Sequence, residues 1–159
     1  MSPRAACRLE QLGFERIYDY VPGKIDWLAR GLPFEGEAAS VPRVGAVARD
    51  DVVTCRLEDR VRDVGPLVEG SPYGFGLVTT AAGTVLGRLR SSALESAAAE
   101  ASAGSIMEPG PSTVRPDLRA VELAQRLEKR GLTTAIVTTP EGRLLGVVRR
   151  DELERSASK

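Results

Sequence analysis

Histidine is absent from the 159 residues, and aromatic residues make up only 4% of them. The missing imidazole excludes the Ser-His-Asp and Cys-His catalytic arrangements, the histidine zinc motifs and the usual general base near neutral pH. Because aromatic side chains are few, the core must be built from aliphatic residues. We therefore expect a protein that is not an enzyme.

Cysteine is nearly as scarce, with Cys7 and Cys55 as the only two. They stand too far apart for a C-x-x-C pair or a zinc spacing, so we expect no metal site. The N-terminus lacks the basic and apolar regions of an export signal, which favours reduced thiols in the cytoplasm. Cys7 is interpreted as a small core residue of a helix, with a Cys7–Cys55 disulfide as the alternative.

Long apolar runs and an excess of charge are also missing. No segment approaches the roughly 20 apolar residues of a membrane span. Lysine plus arginine equals aspartate plus glutamate at 22 each, so neither a membrane nor a nucleic acid is an expected partner. The remaining composition, 42% hydrophobic and 28% charged, is that of an ordinary globular protein.

An internal repeat is the most informative pattern that is present. Residues 78–96 and 137–155 align without a gap at an offset of 59 positions, and nine of the nineteen pairs are identical. Two glycine pairs, Gly83/Gly142 and Gly87/Gly146, are among them. A gapless match of this density indicates a duplicated structural unit.

The second copy predicts the order β-α-β-β-α. Its predicted elements are a strand at 114–116, a helix with Asp117 as N-cap and Gly131 as C-terminal cap, strands at 132–138 and 143–148, and a helix at 150–155. In the first copy the same order is predicted at 54–56, 61–69, 73–79, 84–89 and 92–101, with the first helix interrupted at Gly65-Pro66. For residues 97–104, the Ala and Glu content favours helix over a low-complexity linker. The fold class is therefore α/β (α+β), with the two repeats packed as one pseudo-symmetric body.

Particular segments of the second copy resemble a CBS (cystathionine-β-synthase-type) domain. They are Ser105-Ile106-Met107-Glu108, the run from Pro111 to Asp117, and residues 141–150. The resemblance implies a tandem pair, or Bateman-type module, which binds adenine nucleotides or S-adenosylmethionine in clefts between the copies and associates as a homodimer. No cofactor is then required, and the adenosyl compound is a regulatory ligand.

The same resemblance indicates candidate ligand-binding positions. Thr54 and Thr113 occupy the places where the family offers a hydroxyl and backbone groups to adenine. The family follows its closing strand with Ser or Thr for phosphate and, three residues later, Asp for ribose. Here Arg90 and Arg149 replace the hydroxyl, while Ala93 and Glu152 replace the aspartate. The candidate set is Thr54, Thr113, Val114, Arg149, Arg150 and Glu152.

The arginines allow two interpretations. They could bind phosphate by paired hydrogen bonds. Alternatively, Arg90, Arg149 and Arg150 could form a solvated edge that pairs with Glu95, Asp151 and Glu154.

The first forty residues follow a different pattern. A helix from Arg4 to Gly13 and a strand at 14–20 are predicted, followed by a Pro22-Gly23 segment with Trp27. This arrangement resembles the C-terminal tail of a rhodanese domain. Cys7 lies inside the predicted helix and does not match that family's nucleophile. Because the segment carries apolar side chains without an evident partner, we expect it to dock on the repeat body or to form a dimer contact.

These patterns predict an extension at 1–40 and CBS repeats at 41–98 and 105–156. The leading hypothesis for function is a regulatory module that senses an adenosine-type ligand and alters partner or dimer contacts. A ligand-free oligomerisation or docking module with a degenerate site is the second hypothesis. A sulfurtransferase fragment is the third and weakest, because the chain lacks histidine and a matching nucleophile.

Overall fold

The computed structural model describes residues 2–157, in which helices and short strands alternate. The helices are α1 (Ser2–Gln11), α2 (Gly23–Ala29), α3 (Val44–Val47), α4 (Val61–Glu69), α5 (Ser91–Glu95), α6 (Ala103–Ile106), α7 (Ala120–Lys129) and α8 (Arg150–Ala157), with a 3-10 helix at Glu37–Ser40. The strands are β1 (Thr54–Cys55), β2 (Phe75–Thr79), β3 (Val85–Arg90), β4 (Glu108–Pro109), β5 (Thr113–Val114), β6 (Thr134–Thr138) and β7 (Leu144–Arg149).

The two halves repeat one another at the offset seen in the sequence. Adding 59 to the bounds of β1, β2 and β3 gives the bounds of β5, β6 and β7, since 54, 75 and 85 become 113, 134 and 144. Helices α4 and α7 begin at equivalent positions, as do α5 and α8. The predicted β-α-β-β-α order and the mixed α/β class are therefore confirmed, whereas the exact domain limits stay a prediction.

Each half builds one sheet. In the first, β1 runs parallel to β2, β2 runs antiparallel to β3, and β4 adds an antiparallel edge, giving the order β1-β2-β3-β4. The second has the order β5-β6-β7 with the same orientations. The parallel pairs follow from the crossover helices α4 and α7, because parallel neighbours need a long connection.

The central strands β2 and β6 are apolar on both faces, which is typical of strands covered on both sides. One face of each sheet packs against the helices of its own repeat. The other faces meet each other, and this interface contains Phe75 and Leu77 of the first repeat with Ile136 and Val147 of the second. Burial of the two open faces therefore joins the repeats into one body.

Two short segments exchange between the halves. We call residues 43–49 and 102–108 the lead-in segments, because each precedes the first strand of its repeat. Arg49 of the first pairs with Val147 in β7, and Glu108 pairs with Arg88 in β3, an equivalent pair at the 59-residue offset. Each lead-in segment thus pairs in antiparallel orientation with the closing strand of the opposite repeat.

Two glycines permit this close approach. A Cβ at Gly146, whose φ is +147°, would collide with the carbonyl oxygen of Arg49. A Cβ at Gly87 would collide with the Met107 side chain and lie 3.0 Å from the carbonyl oxygen of Glu108. The pair Gly87/Gly146 therefore marks where the lead-in backbone crosses the closing strand.

Three predictions within the repeats were wrong. Helix α4 continues through Pro66, and no interruption occurs at Gly65. Residues 96–102 are not helical. Instead, the backbone carbonyls of Ala99 and Ala101 accept hydrogen bonds from the first N–H groups of α4. Asp117 is not an N-cap, since α7 begins at Ala120.

The N-terminal extension is only partly as predicted. Helix α1 ends before Gly13, whose φ is +89°, but residues 14–20 form no strand. Cys7 is exposed, so its interpretation as a core residue was wrong. Trp27 packs edge-on against Tyr20 with ring centroids 5.0 Å apart, and its indole N–H donates to the Pro33 carbonyl. Within residues 2–157, no helix has the length and apolar character needed to cross a membrane.

Candidate functional site

A cleft of about 420 Å³ lies between the two repeats. The first repeat contributes Tyr73, Phe75, Arg88 and Arg90, and the second contributes β5, the start of β6 and one face of α7. Four arginines line it: Arg88, Arg90, Arg126 and Arg130. We call it the arginine cleft.

The backbone explains why these four guanidinium groups share one cleft. Side chains two apart on a strand point to the same face, which places Arg88 with Arg90 on β3. Side chains four apart on a helix lie one above the other, which places Arg126 with Arg130 at the end of α7. Both pairs line the cleft between the two repeats.

Glu108 is the counter-charge of one pair. Its carboxylate accepts from Arg88 at 2.8 Å and from Arg90 at 2.7 Å. Hydrogen bonds from Arg88 and then from Arg90 hold the pKa of Glu108 below its usual value. Arg126 and Arg130 form no ion pair with any residue in the described part of the chain. The arginines that line the cleft therefore outnumber the one carboxylate that forms ion pairs with them.

Aromatic rings form one wall of the arginine cleft. The rings of Tyr73 and Phe75 lie 6.0 Å apart, and the Arg88 guanidinium lies 5.8 Å from the centre of the Phe75 ring. The Tyr73 hydroxyl donates to Asp51. Burial, followed by this hydrogen bond, raises the pKa of Tyr73 to about 12, so the phenol stays protonated near neutral pH. The lining of the cleft therefore combines aromatic side chains with guanidinium groups that can donate hydrogen bonds to an anion.

The repeat creates a second set of equivalent positions, which we call the second cleft. There Val147 replaces Arg88, Arg149 replaces Arg90, Leu67 replaces Arg126 and Ser71 replaces Arg130. Only one of the four guanidinium groups is retained. Cys55, the equivalent of Val114, is 6% exposed, and its burial raises the thiol pKa to about 11.

Comparison with known proteins assigns the fold. The profile of the CBS domain family matches residues 103–158. This segment contains β4 to β7 and the second copy of the repeat. The first copy has the same elements at an offset of 59 residues, and the solved structures below cover both copies. This chain folds as a CBS domain pair.

The solved structures similar to this chain include three that contain adenosine compounds. The cytosolic domain of the Mg²⁺ channel MgtE in complex with ATP is 23% identical with a TM-score of 0.64, covering 74% of this chain and 50% of that one. CBSX2 in complex with AMP is 19% identical with a TM-score of 0.62, covering 74% and 96%. The CBS domain pair of protein MJ0100, with 5'-methylthioadenosine and S-adenosylmethionine, is 14% identical with a TM-score of 0.59, covering 72% and 94%.

These likenesses have a defined extent. The chain spans about half the length of the MgtE chain that it matches. At identities of this size the similarity establishes the fold alone. A search of curated proteins found no match. No comparison shows a relation of the N-terminal extension to rhodanese.

The six predicted ligand-binding residues do not lie together in the CBS pair. Thr113 and Val114 line the arginine cleft, and the Thr113 hydroxyl accepts from Thr138 at 3.1 Å. Thr54 is the equivalent of Thr113 and belongs to the second cleft. Arg149 pairs with Asp151 at 3.5 Å, and Arg150 pairs with Glu154 at 3.4 Å, as in the solvated-edge interpretation.

Glu152 lies elsewhere, in a groove that contains α8 residues and the lead-in residues Ala46, Val47 and Arg49. Arg49 donates to its Oε1 at 3.2 Å, and its Oε2 is buried without a hydrogen-bond partner in the described structure. The Glu152 side chain is 16% exposed. Glu152, the residue predicted to bind ribose, thus already forms an ion pair with Arg49 of the first lead-in segment.

Sequence reasoning missed Arg88, Arg126 and Arg130. Two arginines lie two positions apart in the strand Val85–Arg90, and Arg126 and Arg130 lie four positions apart at the end of α7. At these spacings the side chains of each pair lie on the same face of their element, so each pair could have been recognised as a local cluster of positive charge. That both pairs line one cleft could not be inferred from either pattern alone, because it depends on how the repeats pack.

Proposed function

We propose that this CBS pair is a regulatory module that binds a phosphorylated adenosine, such as AMP, ADP or ATP, in the arginine cleft. The observation that supports this proposal is the convergence of Arg88 and Arg90 with Arg126 and Arg130 across the repeat interface. Guanidinium groups recognise phosphate through paired, charge-assisted hydrogen bonds. The volume of about 420 Å³ lies within the roughly 300–1,000 Å³ range of ligand sites.

The charge of the cleft favours nucleotides over S-adenosylmethionine. The sulfonium of that compound is a cation, and the guanidinium groups that line the cleft oppose it. The similar structures with ATP and AMP support the adenosine class. The wall formed by Tyr73 and Phe75 offers apolar surface to an adenine ring.

The ribose has weak support in this site. Ala93 replaces the carboxylate that the CBS pattern places after β3. Because the sugar anchor is missing, the phosphates supply most of the affinity. Binding should therefore strengthen from adenosine to AMP, ADP and ATP, and it should weaken as salt is added.

Regulation follows from the position of the cleft between the repeats. A ligand that contacts β3 of one repeat and α7 of the other favours one arrangement of the two, and this changes the surface offered to a partner or a second copy. We propose a homodimer of CBS pairs as the assembly that responds. Analytical ultracentrifugation with and without ATP tests that assembly.

A calorimetric titration with adenosine, AMP, ADP, ATP and S-adenosylmethionine tests the proposed ligand. We expect saturable binding of the nucleotides in the stated order, at one site per chain, and much weaker binding of S-adenosylmethionine. Absence of binding by all three nucleotides at millimolar concentration would contradict the proposal.

A ligand-free docking module is the second candidate function. Two observations favour it. The Glu108 carboxylate already forms ion pairs with Arg88 and Arg90, and Ala93 lacks the carboxylate that the CBS pattern has at its position. The same titration separates the two functions, because a docking module binds none of the five compounds and keeps its assembly state in their presence.

A further inference from the structure

A cavity of about 350 Å³ lies where the N-terminal extension meets the second repeat. We call it the extension cavity. Its apolar lining comes from the extension, the first lead-in and the start of the second repeat: Leu28, Leu32, Phe34, Val41, Ala46 and Pro116. It shares no lining residue with the arginine cleft.

The repeat alone does not create the extension cavity, because residues of the N-terminal extension form part of its lining. Pro116 of the second repeat corresponds to Leu57 of the first, and each packs against the glycine of a lead-in segment, Gly45 and Gly104 respectively. Residues of the extension line the cavity on the Pro116 side. The equivalent Leu57 is 43% exposed.

Arg43 is the one charged residue among the described residues that line the cavity. Its Nη1 donates to the Asp117 carbonyl at 2.6 Å, and its guanidinium lies 5.6 Å from the centre of the Phe34 ring. Its Nε–H is buried without an acceptor, and no carboxylate whose side chain the structure describes forms an ion pair with it. The protein therefore uses one of the five guanidinium donors for a hydrogen bond in this structure.

A cation in this situation favours an anionic ligand. A buried donor without an acceptor is unfavourable, and a charged donor more so. A carboxylate offers two oxygens that match the guanidinium fork. A single positive charge balances a single negative one, and most of the other lining residues are apolar. We propose that the extension cavity binds a small aliphatic monocarboxylate, with its carboxylate on Arg43 and its chain against the apolar lining.

Calorimetry with octanoate tests this proposal, with octanol as the uncharged probe of equal chain length. We expect octanoate to bind saturably and at least about tenfold more tightly than octanol, the difference that one charge-assisted hydrogen bond provides. Trp27 is the only tryptophan and precedes the lining residue Leu28, so a saturable change in its fluorescence would locate the ligand.

Two variants and one matched control complete the test. Arg43→Gln should remove the preference for octanoate, whereas Arg119→Gln should not, because Arg119 pairs with Arg43 through the backbone but does not line the cavity. Ala39→Leu should weaken both probes by filling the cavity, and its melting temperature shows whether it folds. Equal affinity for the two probes, no heat with octanoate, or unchanged binding by Arg43→Gln would overturn the proposal.

Discussion

The arginine cleft and the second cleft occupy equivalent places in the repeat, yet their chemistry differs. Four guanidinium groups line the first, while valine, arginine, leucine and serine stand at the corresponding positions of the second. The lead-in charges differ as well, since Glu108 pairs with arginines of β3, whereas Arg49 pairs with a glutamate of α8. The duplicated backbone therefore places different side chains at equivalent positions, and each set must be assessed from its own residues.

The largest expected effect concerns the glycines that let the lead-in segments cross. Gly146→Ala should lower the free energy of unfolding by about 4 kcal/mol, because a collision with the backbone of Arg49 adds to a φ of +147°. Gly87→Ala should lower it by only about 1–3 kcal/mol, since the flexible Met107 side chain can shift. Urea denaturation of both variants measures the difference. Equal losses would show that the two crossings are equivalent after all.

Removal of the unpaired arginines should weaken nucleotide binding next most strongly. We expect Arg126→Gln combined with Arg130→Gln to lower ATP affinity about 10- to 100-fold, because two charge-assisted contacts are lost. Calorimetry at fixed salt measures this change. Lys129→Gln is the control, since it removes one positive charge from α7 at a residue that does not line the cleft. It should change the affinity by less than about twofold.

Glu152→Gln tests the effect of a residue that lies outside the arginine cleft. Glu152 lines a separate groove and pairs with Arg49, so its substitution should leave ATP affinity within about twofold of the unmodified protein. A large loss of affinity would place the nucleotide in the groove that contains Glu152, beside α8, and would contradict the proposed site in the arginine cleft.

Thiol reactivity tests whether the second cleft is closed at β1. Cys55 stands where Val114 lines the arginine cleft, but burial raises its pKa to about 11, and the thiolate is the reactive form. We expect Cys55 to react with iodoacetamide at least about tenfold more slowly than the exposed Cys7, and both to react in urea. Peptide mass mapping distinguishes them. Equal rates in the native protein would mean that the second cleft is open.

The smallest expected effect is on acid stability. Because Arg88 and Arg90 lower the pKa of Glu108 in the folded state, its contribution is present above the ordinary glutamate value of 4.5 and is lost as the pH falls through the lower folded value. Glu108→Gln should therefore lose less thermal stability than the unmodified protein between pH 5 and about 3. Glu58→Gln is the control, since Glu58 forms no ion pair in the described structure, and it should follow the unmodified protein.

The sequence predicted those features that depend on local pattern or on the repeat itself. The offset of 59 residues and the glycines at turns located the strands β2, β3, β6 and β7 to within two residues. Features that depend on distant partners could not be predicted. The Ala-rich segment before residue 103 favours helix by propensity, but it lies as a loop because its carbonyls bind the start of α4.

The residues of the candidate site also differ in whether a local pattern could predict them. Thr113 and Val114 were recognised from the CBS pattern, which is local to β5. Arg126 and Arg130 belong to a helix face that the sequence describes only as polar, and their role depends on β3 of the other repeat. Glu152 matched the pattern by position, yet Arg49, 103 positions away, determines its environment.

The exchange of lead-in segments bears on how such a chain could arise. Each repeat receives a strand extension from the opposite repeat, so an isolated repeat would leave that edge of its closing strand unpaired. Two identical single-repeat chains could satisfy each other's edges in the same manner. The fused pair thus has the geometry of a symmetric dimer whose subunits became covalently joined, after which the two halves were free to diverge in charge.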